Sequence, residues 1–182
     1  MVRVFDILLS FLGILVSFPL LVAVYVVLLL ESDAPIFRQE RVGKFMVPFY
    51  IFKFRTMRLS TANLASHLNS AEFITPLGKF LRKTKIDELP QLFNVLIGDM
   101  SLVGPRPNLY NQLELCNLRS DNCIYDSSPG ITGLAQIYKV DMSTPSLLLH
   151  YDRLLVSNFS VGFYIWVIFK TVLGSGYGDR IK

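Results

Sequence analysis

Asp87 and Glu88 form a pair of adjacent carboxylates between a basic run and a proline, in the segment KIDELPQL (residues 85–92). Two neighbouring carboxylates repel each other, and a cation between them relieves that repulsion. A hard divalent cation such as Mg²⁺ takes oxygen ligands and suits carboxylate and phosphate groups together. An ionised carboxylate can also act as a nucleophile. Taken alone the pair is a weak signal, because most Asp-Glu pairs at helix starts are caps.

Leucine spacing predicts a helix directly after the pair. Leu89 and Leu92 begin an apolar pattern with helical period, Pro90 lies in its first turn, and Gly98 is placed to end it. Asp87 then falls at or near the N-cap. The unpaired amides and the dipole of a helix N-terminus stabilise an ionised carboxylate and favour a bound phosphate. We therefore expect an ionised Asp87 beside an anion-binding position.

Basic residues accumulate on both sides of the pair. Four of them precede it within one or two helical turns, Arg82 among them. Arg106 follows in the segment GPRPN, where a proline on each side restricts the backbone and lowers the entropy that binding would cost. Its planar guanidinium suits bidentate contact with a phosphate. A stiff surface turn is the alternative for a Pro-Arg-Pro segment that stands alone.

The segment MVPFYIFKFRTM (46–57) alternates between two faces and predicts a strand or an extended segment. One face changes from apolar to cationic along its length and ends in Lys53 and Arg55. A strand that ends in solvated charges is an equal alternative. A carboxylate pair with Mg²⁺ and converging Arg and Lys side chains is the equipment of phosphoryl transfer, in which charge stabilisation does most of the work.

The N-terminal region contains an apolar run with no charged residue from Ile7 to Leu30. Its 24 residues exceed the roughly 20 that a helix needs to cross a bilayer. A signal peptide would have an apolar region of only about 7–15 residues, followed by a small-residue cleavage site. We therefore predict a membrane helix over residues 1–31 and a small globular domain over residues 32–182.

Pro19 lies in the middle of this run and favours a bend. It removes one backbone hydrogen bond, and the hydroxyl of Ser17 can serve a carbonyl that has lost its donor. One interpretation is a kinked transmembrane helix. The other is a helix that bends at Pro19 and returns to the face it entered. Basic residues on both sides of the run allow this, because both ends then suit the positive-rich cytoplasmic side.

The composition also indicates contact with lipid. Hydrophobic residues make up 52% of the 182 residues and charged residues 18%, against about 25% in typical soluble domains. The net charge of +4 suits an anionic partner such as a membrane surface, a nucleotide or a phosphate, and no nucleic-acid partner is expected. Cys116 and Cys123 are expected to be free thiols, and the isolated His67 and His150 indicate no histidine-based metal site.

Two segments near the C-terminus predict helices. Residues 145–156 place leucines and a tyrosine on one helical face, and residues 161–169 are apolar all round but too short to span a bilayer. The second helix belongs either to the core or to the membrane interface, where Trp166 is favourable, and a homodimer through it is left open. The segment 61–73 predicts only a short helix or loop, and 127–133 a turn cluster.

Three stretches of the chain, in this order behind the apolar run, resemble the bacterial sugar transferases and, more narrowly, the small monotopic phosphoglycosyl transferases. They are FRQERVGKFMVPFYIFKFRTM, LRKTKIDELPQLFNVLIGDMSLVGPRP and PGITGLAQI. The resemblance implies a mostly helical α+β fold with short strands and interfacial amphipathic helices. It also implies transfer of a sugar 1-phosphate from a UDP-sugar to undecaprenyl phosphate with release of UMP, as the first membrane step of O-antigen, capsule or glycoprotein assembly.

The same resemblance implies roles for individual residues. Asp87 matches the covalent nucleophile of the family, and Glu88 matches its Mg²⁺ ligand. Lys53, Arg82 and Arg106 match its phosphate-binding cations, in agreement with the clustering of charge described above. A carboxyl phosphate intermediate divides one transfer into two steps and predicts ping-pong kinetics.

The resemblance further implies a re-entrant N-terminal helix that bends at a Ser-Pro pair, with the catalytic domain on the cytoplasmic face of the bacterial inner membrane. Here Pro19 matches, while Ser17 lies one position further away. Two other departures are the segment AQIYKVDMSTPSL (135–147), where many relatives have Gly and Arg soon after the Gln, and Tyr164, near where an Asp is often found. Some relatives carry a large N-terminal multi-span region, which this chain is expected to lack.

Two alternatives use the same residues. A membrane-bound phosphohydrolase would transfer the sugar phosphate to water and release it free. A membrane-anchored scaffold would use its basic face, Arg106 included, to bind anionic lipid or a partner glycosyltransferase. The residues leave the sugar and the oligomeric state open.

Overall fold

The structure is a computed structural model that describes residues 2–58 and 73–175. Apart from Phe73, the segment 61–73 lies outside the described residues. The described chain is mostly helical with short strands, which confirms the predicted α+β class. The elements in chain order are α1 Val2–Glu31, β1 Ile36–Val42, β2 Pro48–Phe54, α2 Pro76–Thr84, α3 Gln91–Ile97, β3 Ser101–Val103, α4 Leu113–Asp121, β4 Gly130–Thr132, α5 Leu134–Ile137, α6 Pro145–Ser157 and α7 Val161–Lys170.

Helix α1 has 30 residues and contains Pro19. By length and composition it is the one helix among the described residues that could cross a membrane. The Ser17 hydroxyl donates to the carbonyl of Gly13 at 2.6 Å. Because Pro19 has no amide hydrogen, the carbonyl left without a helical donor is that of Leu15, four residues earlier. The prediction that Ser17 serves the carbonyl freed by proline is therefore wrong, because its short side chain reaches back to its own i−4 position.

The N-terminal end of α1 is tied to the globular part by polar contacts. Arg3 donates to the carbonyls of Val95 at 2.6 Å and Leu96 at 2.9 Å, at the C-terminus of α3, where a cation meets the last unpaired carbonyls. The buried carboxylate of Asp6 accepts from the Ser101 hydroxyl at 2.9 Å and from the Tyr164 hydroxyl at 2.7 Å. These bonds join α1 to α3, β3 and α7.

The C-terminal half of α1 is held by apolar packing instead. Leu21 and Leu28 are buried in one cluster with Phe54 of β2 and Leu81 of α2. Most of the large apolar side chains elsewhere on α1 are exposed, including Leu15 and Val16 near its middle. The helix therefore contacts the same globular part near both of its ends.

Strands β1 and β2 form an antiparallel hairpin with a register from Val42↔Pro48 to Ile36↔Phe54. Phe49 and Ile51 are buried against Val95 and Met100, and Lys53 follows them on the same face at the edge of this cluster. The prediction of an extended segment whose apolar face becomes cationic is thus confirmed for Pro48–Phe54. Phe54 points to the opposite face and joins the α1 cluster.

Strands β3 and β4 form a short parallel pair, Ser101↔Gly130 and Val103↔Thr132. A Cβ atom on Gly130 would lie 2.0 Å from the Gly104 amide nitrogen, so this approach requires glycine. The prediction of a turn cluster over residues 127–133 is wrong for Gly130–Thr132, because these residues pair with a strand that is distant in sequence.

The two C-terminal helices are confirmed at 145–157 and 161–170. Helix α7 buries Tyr164 and Val167 in the core and exposes Ile165 and Phe169. One face of α7 therefore lies in the core, and the other presents apolar side chains to the outside. Both cysteines are free thiols, Cys116 buried and Cys123 exposed.

Candidate active site

The acidic pair lies in a single 3-10 turn, Ile86–Glu88, between α2 and α3. Lys85 ends α2 in a left-handed conformation with φ 59°, and α3 begins at Gln91 with Pro90 at its N-cap. The prediction that Asp87 caps α3 is therefore wrong, since the left-handed residue starts a tight turn of its own and the proline starts the helix one turn later. Asp87 is buried, and its carboxylate interacts electrostatically with the nearby Lys85.

Glu88 joins two of the predicted phosphate-binding cations. Its Oε1 atom accepts from Lys53 Nζ at 2.9 Å and from Arg106 Nη2 at 3.2 Å. Lys53 comes from β2 and Arg106 from the segment after β3. Residues 35 and 18 positions from Glu88 thus meet at one carboxylate oxygen. The three side chains are 12–15% exposed, so the cluster is accessible from outside.

The backbone around Arg106 is held by hydrogen bonds to the carbonyls of residues 105–108. Four consecutive carbonyls each accept a hydrogen bond, one from β4, one from α4 and two from β1. The pairs are Gly130 N to Pro105 O at 2.9 Å, Arg119 Nη1 to Arg106 O at 2.8 Å, Arg41 Nη1 to Pro107 O at 3.1 Å and Val42 N to Asn108 O at 3.0 Å. Because the two prolines already restrict φ, this segment presents the Arg106 side chain with little freedom left to lose.

Arg119 belongs to a buried ion pair that the sequence analysis missed. Its Nε and Nη2 atoms donate to Asp152 Oδ2 at 2.9 and 2.7 Å, and its Nη1 also donates to Asn108 Oδ1 at 2.8 Å. Burial raises the pKa of the Asp152 carboxyl, and the charge of Arg119 opposes that rise. The signal that could have revealed the pair is Asp152 itself, a carboxylate on the same face of α6 as Leu148 and Leu155.

Arg82 and Arg55 make different contacts. Arg82 Nε donates to Thr56 Oγ1 at 2.7 Å, and Arg55 Nε donates to Ala34 O at 2.6 Å. The Arg55 guanidinium also lies 5.7 Å from the centre of the Phe37 ring, and burial lowers its pKa. These partners are neutral groups beside β1 and β2. The structure thus brings Lys53 and Arg106 onto Glu88, whereas the contacts of Arg82 and Arg55 are with neutral groups.

Few of the described residues could bind a metal ion. Within residues 2–58 and 73–175, no group of three or more His, Cys, Asp and Glu side chains could hold a metal. Mg²⁺ usually binds through one or two carboxylates together with substrate phosphates and water. The Glu88 carboxylate therefore fits an ion shared with a bound phosphate, and the described residues do not fit an ion held by protein alone.

Two cavities adjoin the acidic turn. The smaller is lined by Lys53, Gln91, Arg106 and Ile131, among others. The buried Nε2 atom of Gln91 has no hydrogen-bond partner among the described residues, so it is a donor available to an anion there. The larger is a mainly apolar cleft lined by Lys85, Glu88, Leu89, Leu92, Ile131, Thr132, Gln136 and Thr171. The first brings the cations Arg41, Lys53 and Arg106 together, while the second suits a partly apolar molecule.

The chain belongs to the bacterial sugar transferase family, whose model matches residues 1–175. It is 37% identical, over 98% of its length, to a UDP-N-acetylgalactosamine-undecaprenyl-phosphate N-acetylgalactosaminephosphotransferase of Aeromonas hydrophila, of which the match covers 44%. It is 33% identical, over 93% of its length, to an undecaprenyl-phosphate galactose phosphotransferase of Salmonella typhimurium, of which 39% is covered. An exopolysaccharide production protein of Rhizobium leguminosarum bv. phaseoli is 34% identical over 94% of the chain and 92% of its own length. The chain thus spans about two fifths of the first two relatives.

Proposed function

We propose that this chain is a phosphoglycosyl transferase that moves a sugar 1-phosphate from a UDP-sugar to undecaprenyl phosphate and releases UMP. The observation that carries the proposal is the meeting of Lys53 and Arg106 at Glu88, directly beside Asp87. One relative described above is named as a phosphotransferase that uses UDP-N-acetylgalactosamine and undecaprenyl phosphate. Another is named as an undecaprenyl-phosphate galactose phosphotransferase. A dense positive cluster beside a carboxylate supports chemistry on a diphosphate.

In the first half of the proposed reaction, an oxygen of Asp87 attacks the phosphorus that carries the sugar. The bond between that phosphorus and the oxygen bridging to the other phosphate breaks, and UMP leaves with the bridging oxygen. Lys53 and Arg106 offset the negative charge on the phosphate oxygens. In the second half, a phosphate oxygen of the acceptor attacks the same phosphorus. The bond to Asp87 then breaks, which restores the carboxylate and yields a polyprenyl diphosphate sugar.

Mg²⁺ is the proposed cofactor, held by Glu88 and shared with the diphosphate. When bound, it would neutralise charge on the phosphate oxygens and on the departing UMP. Lys53 and Arg106 position Glu88 for this role through their bonds to Oε1. Arg82, near Thr56, is proposed as a further phosphate contact, and Arg55 as an outer cation of the same surface.

We propose that the protein lies on the cytoplasmic face of the bacterial inner membrane with α1 re-entrant at Ser17 and Pro19. Asp6 and Leu28 both contact the globular part, and the 22 steps from one to the other would rise about 33 Å in a straight helix. That exceeds the roughly 30 Å of a hydrocarbon core, so a spanning α1 would place parts of one domain on opposite sides. Cysteine labelling at the N-terminus and at an engineered exposed site in the domain tests this, and labelling from opposite sides contradicts it.

The experiment that tests the function uses the full chain in detergent with Mg²⁺, undecaprenyl phosphate and a panel of labelled UDP-sugars. UMP and a labelled lipid should form with at least one sugar. We expect Asp87→Asn to lower the rate by roughly 1,000-fold or more, because the neutral amide is no nucleophile. Asp121→Asn, an exposed acid on α4, is the matched control and should keep full activity.

Two results would contradict the proposal. Full activity of the Asp87→Asn variant would rule out the covalent role of Asp87. Release of free sugar phosphate without a lipid product would identify a phosphohydrolase instead. A covalent adduct of about one sugar phosphate per chain, formed without acceptor and seen by intact mass, would support the proposed intermediate.

A further inference from the structure

The two cavities beside the acidic turn differ in chemistry and share a wall. Ile131 lines both, and Glu88 lines the larger cleft while it holds Lys53 and Arg106 of the smaller one. The smaller cavity is lined by three cations and the Gln91 amide, together with Ile51, Pro107, Gly130 and Ile131. The larger has a polar end at Lys85 and Glu88 and apolar walls beyond it. Such a division suits two ligands that bind on either side of one reacting group.

The apolar wall of the larger cleft continues to the membrane helix. Leu89 packs against the cluster that contains Leu21 and Leu28 of α1. Leu92 Cδ1 lies 3.1 Å from the position that a Cβ atom on Gly13 would occupy, so α1 passes directly over this side chain. The cleft therefore runs from Lys85 and Glu88 to leucine side chains that contact α1, whose outer surface is largely apolar.

Lys85 supplies a positive charge at the polar end of this cleft. It is held there by its left-handed backbone, with φ 59°, at the junction of α2 and the acidic turn. Burial lowers its pKa, while the nearby carboxylates of Glu88 and Asp87 act to raise it. Lys85 lies two residues before Asp87 and interacts electrostatically with its carboxylate, so its ammonium group can bind a phosphate beside an adduct on that residue.

We propose that the larger cleft is the acceptor site, in which Lys85 binds the phosphate of the polyprenyl phosphate while Leu89 and Leu92 contact its first isoprenoid units. The donor diphosphate then occupies the side of Lys53, Gln91 and Arg106. This inference rests on the proposed function and adds to it a division of the site between the two substrates. The acceptor phosphate oxygen attacks the phosphorus bound to Asp87, and the Asp87 carboxylate is the leaving group.

Ping-pong kinetics allow the two sides to be tested separately with the full chain. We expect Lys85→Met to release UMP from the UDP-sugar, without acceptor, at a rate within about 3-fold of the wild type. Transfer from the adduct to undecaprenyl phosphate should fall by roughly 10- to 100-fold, the effect of losing one charge-assisted hydrogen bond. Lys85→Arg should recover most of the loss. Lys83→Met, the same change at an exposed position of α2, is the matched control.

A second variant examines the apolar part of the cleft. Thr171 lines the larger cleft and not the smaller one, so Thr171→Phe should fill the acceptor side and produce the same split between the half-reactions. The proposal is overturned if either variant slows UMP release as much as it slows transfer to the lipid. A wild-type protein that releases no UMP from any UDP-sugar would instead overturn the proposed function itself.

Discussion

Two carboxylate–cation clusters in this molecule are built from similar groups but differ in burial and in role. Arg119 and Asp152 form an ion pair whose side chains are 1% and 2% exposed. Glu88 with Lys53 and Arg106 forms a cluster whose side chains are 12–15% exposed. In the first, every Arg119 nitrogen donates to a protein oxygen. In the second, two cations share a single carboxylate oxygen next to a cavity.

The difference shows how burial separates structure from reactivity. A closed ion pair is costly to break, because removal of one partner leaves a charge buried without compensation. A partly exposed cluster beside a cavity loses less when one member is replaced, because water can solvate the groups that remain. The two are also connected, since Arg119 donates to the carbonyl of Arg106 and so orients the segment that serves the open cluster.

The largest effect is expected for the closed pair. Arg119→Met should reduce the free energy of unfolding by about 3–5 kcal/mol, because Asp152 would be left buried and uncompensated. Chemical denaturation of the detergent-solubilised protein measures this. The double variant Arg119→Met, Asp152→Leu should recover much of the loss, since no isolated charge remains. Equal stability of the single variant and the wild type would contradict the comparison.

The same substitution in the open cluster should act on activity instead. We expect Arg106→Met to lower the rate of UMP release by roughly 100-fold, the usual loss for one charge-stabilising donor. The unfolding free energy should fall by less than it does for Arg119→Met, because the cluster borders a cavity and is less completely buried. Steady-state rates and denaturation curves on one preparation give both values. A stability loss as large as that of Arg119→Met would show that the two clusters do not differ in kind.

The smallest effect concerns Tyr125, which contacts the same Asn108 oxygen as Arg119. The Tyr125 hydroxyl donates to Asn108 Oδ1 at 3.0 Å, and burial raises its pKa from 10.0 to about 12, although Arg119 acts to lower it. The stability that Tyr125 contributes is present below its unfolded pKa of 10.0 and is lost as the pH rises through about 12. Tyr125→Phe should lose about 1 kcal/mol near neutral pH but show less alkaline destabilisation. Parallel pH curves for both proteins would be contrary to this.

Much of the candidate site could be predicted from the chain itself. The extended segment ending in Lys53, the acidic pair and the Pro-Arg-Pro segment were all read from local patterns, and the structure brings Lys53, Glu88 and Arg106 together. Local patterns succeed here because alternation, proline restriction and charge clustering act within a few residues. The predicted position of Asp87 at the N-cap of α3 was wrong by one turn. The choice between a cap and a separate 3-10 turn depends on the conformation of Lys85, which local patterns do not report.

The contacts that organise the site were beyond local patterns. The buried partners Arg119 and Asp152 are 33 residues apart, and Asp6 meets Ser101 and Tyr164 across 95 and 158 residues. Tyr164, noted only as a departure from the family, proves to be the donor that joins α7 to α1. No periodicity reports such pairings, because they arise from the packing of elements that are distant along the chain.

By itself the sequence determined the apolar N-terminal helix, the mixed helical class and the identity of the charged groups, since these depend on composition and on short-range spacing. The tertiary structure alone decided which cations reach Glu88, which ion pair is closed, and that Lys85 faces a cleft beside α1. The physical reason is burial: the same carboxylate and guanidinium form a permanent pair where water is excluded, and an exchangeable one where a cavity remains beside them.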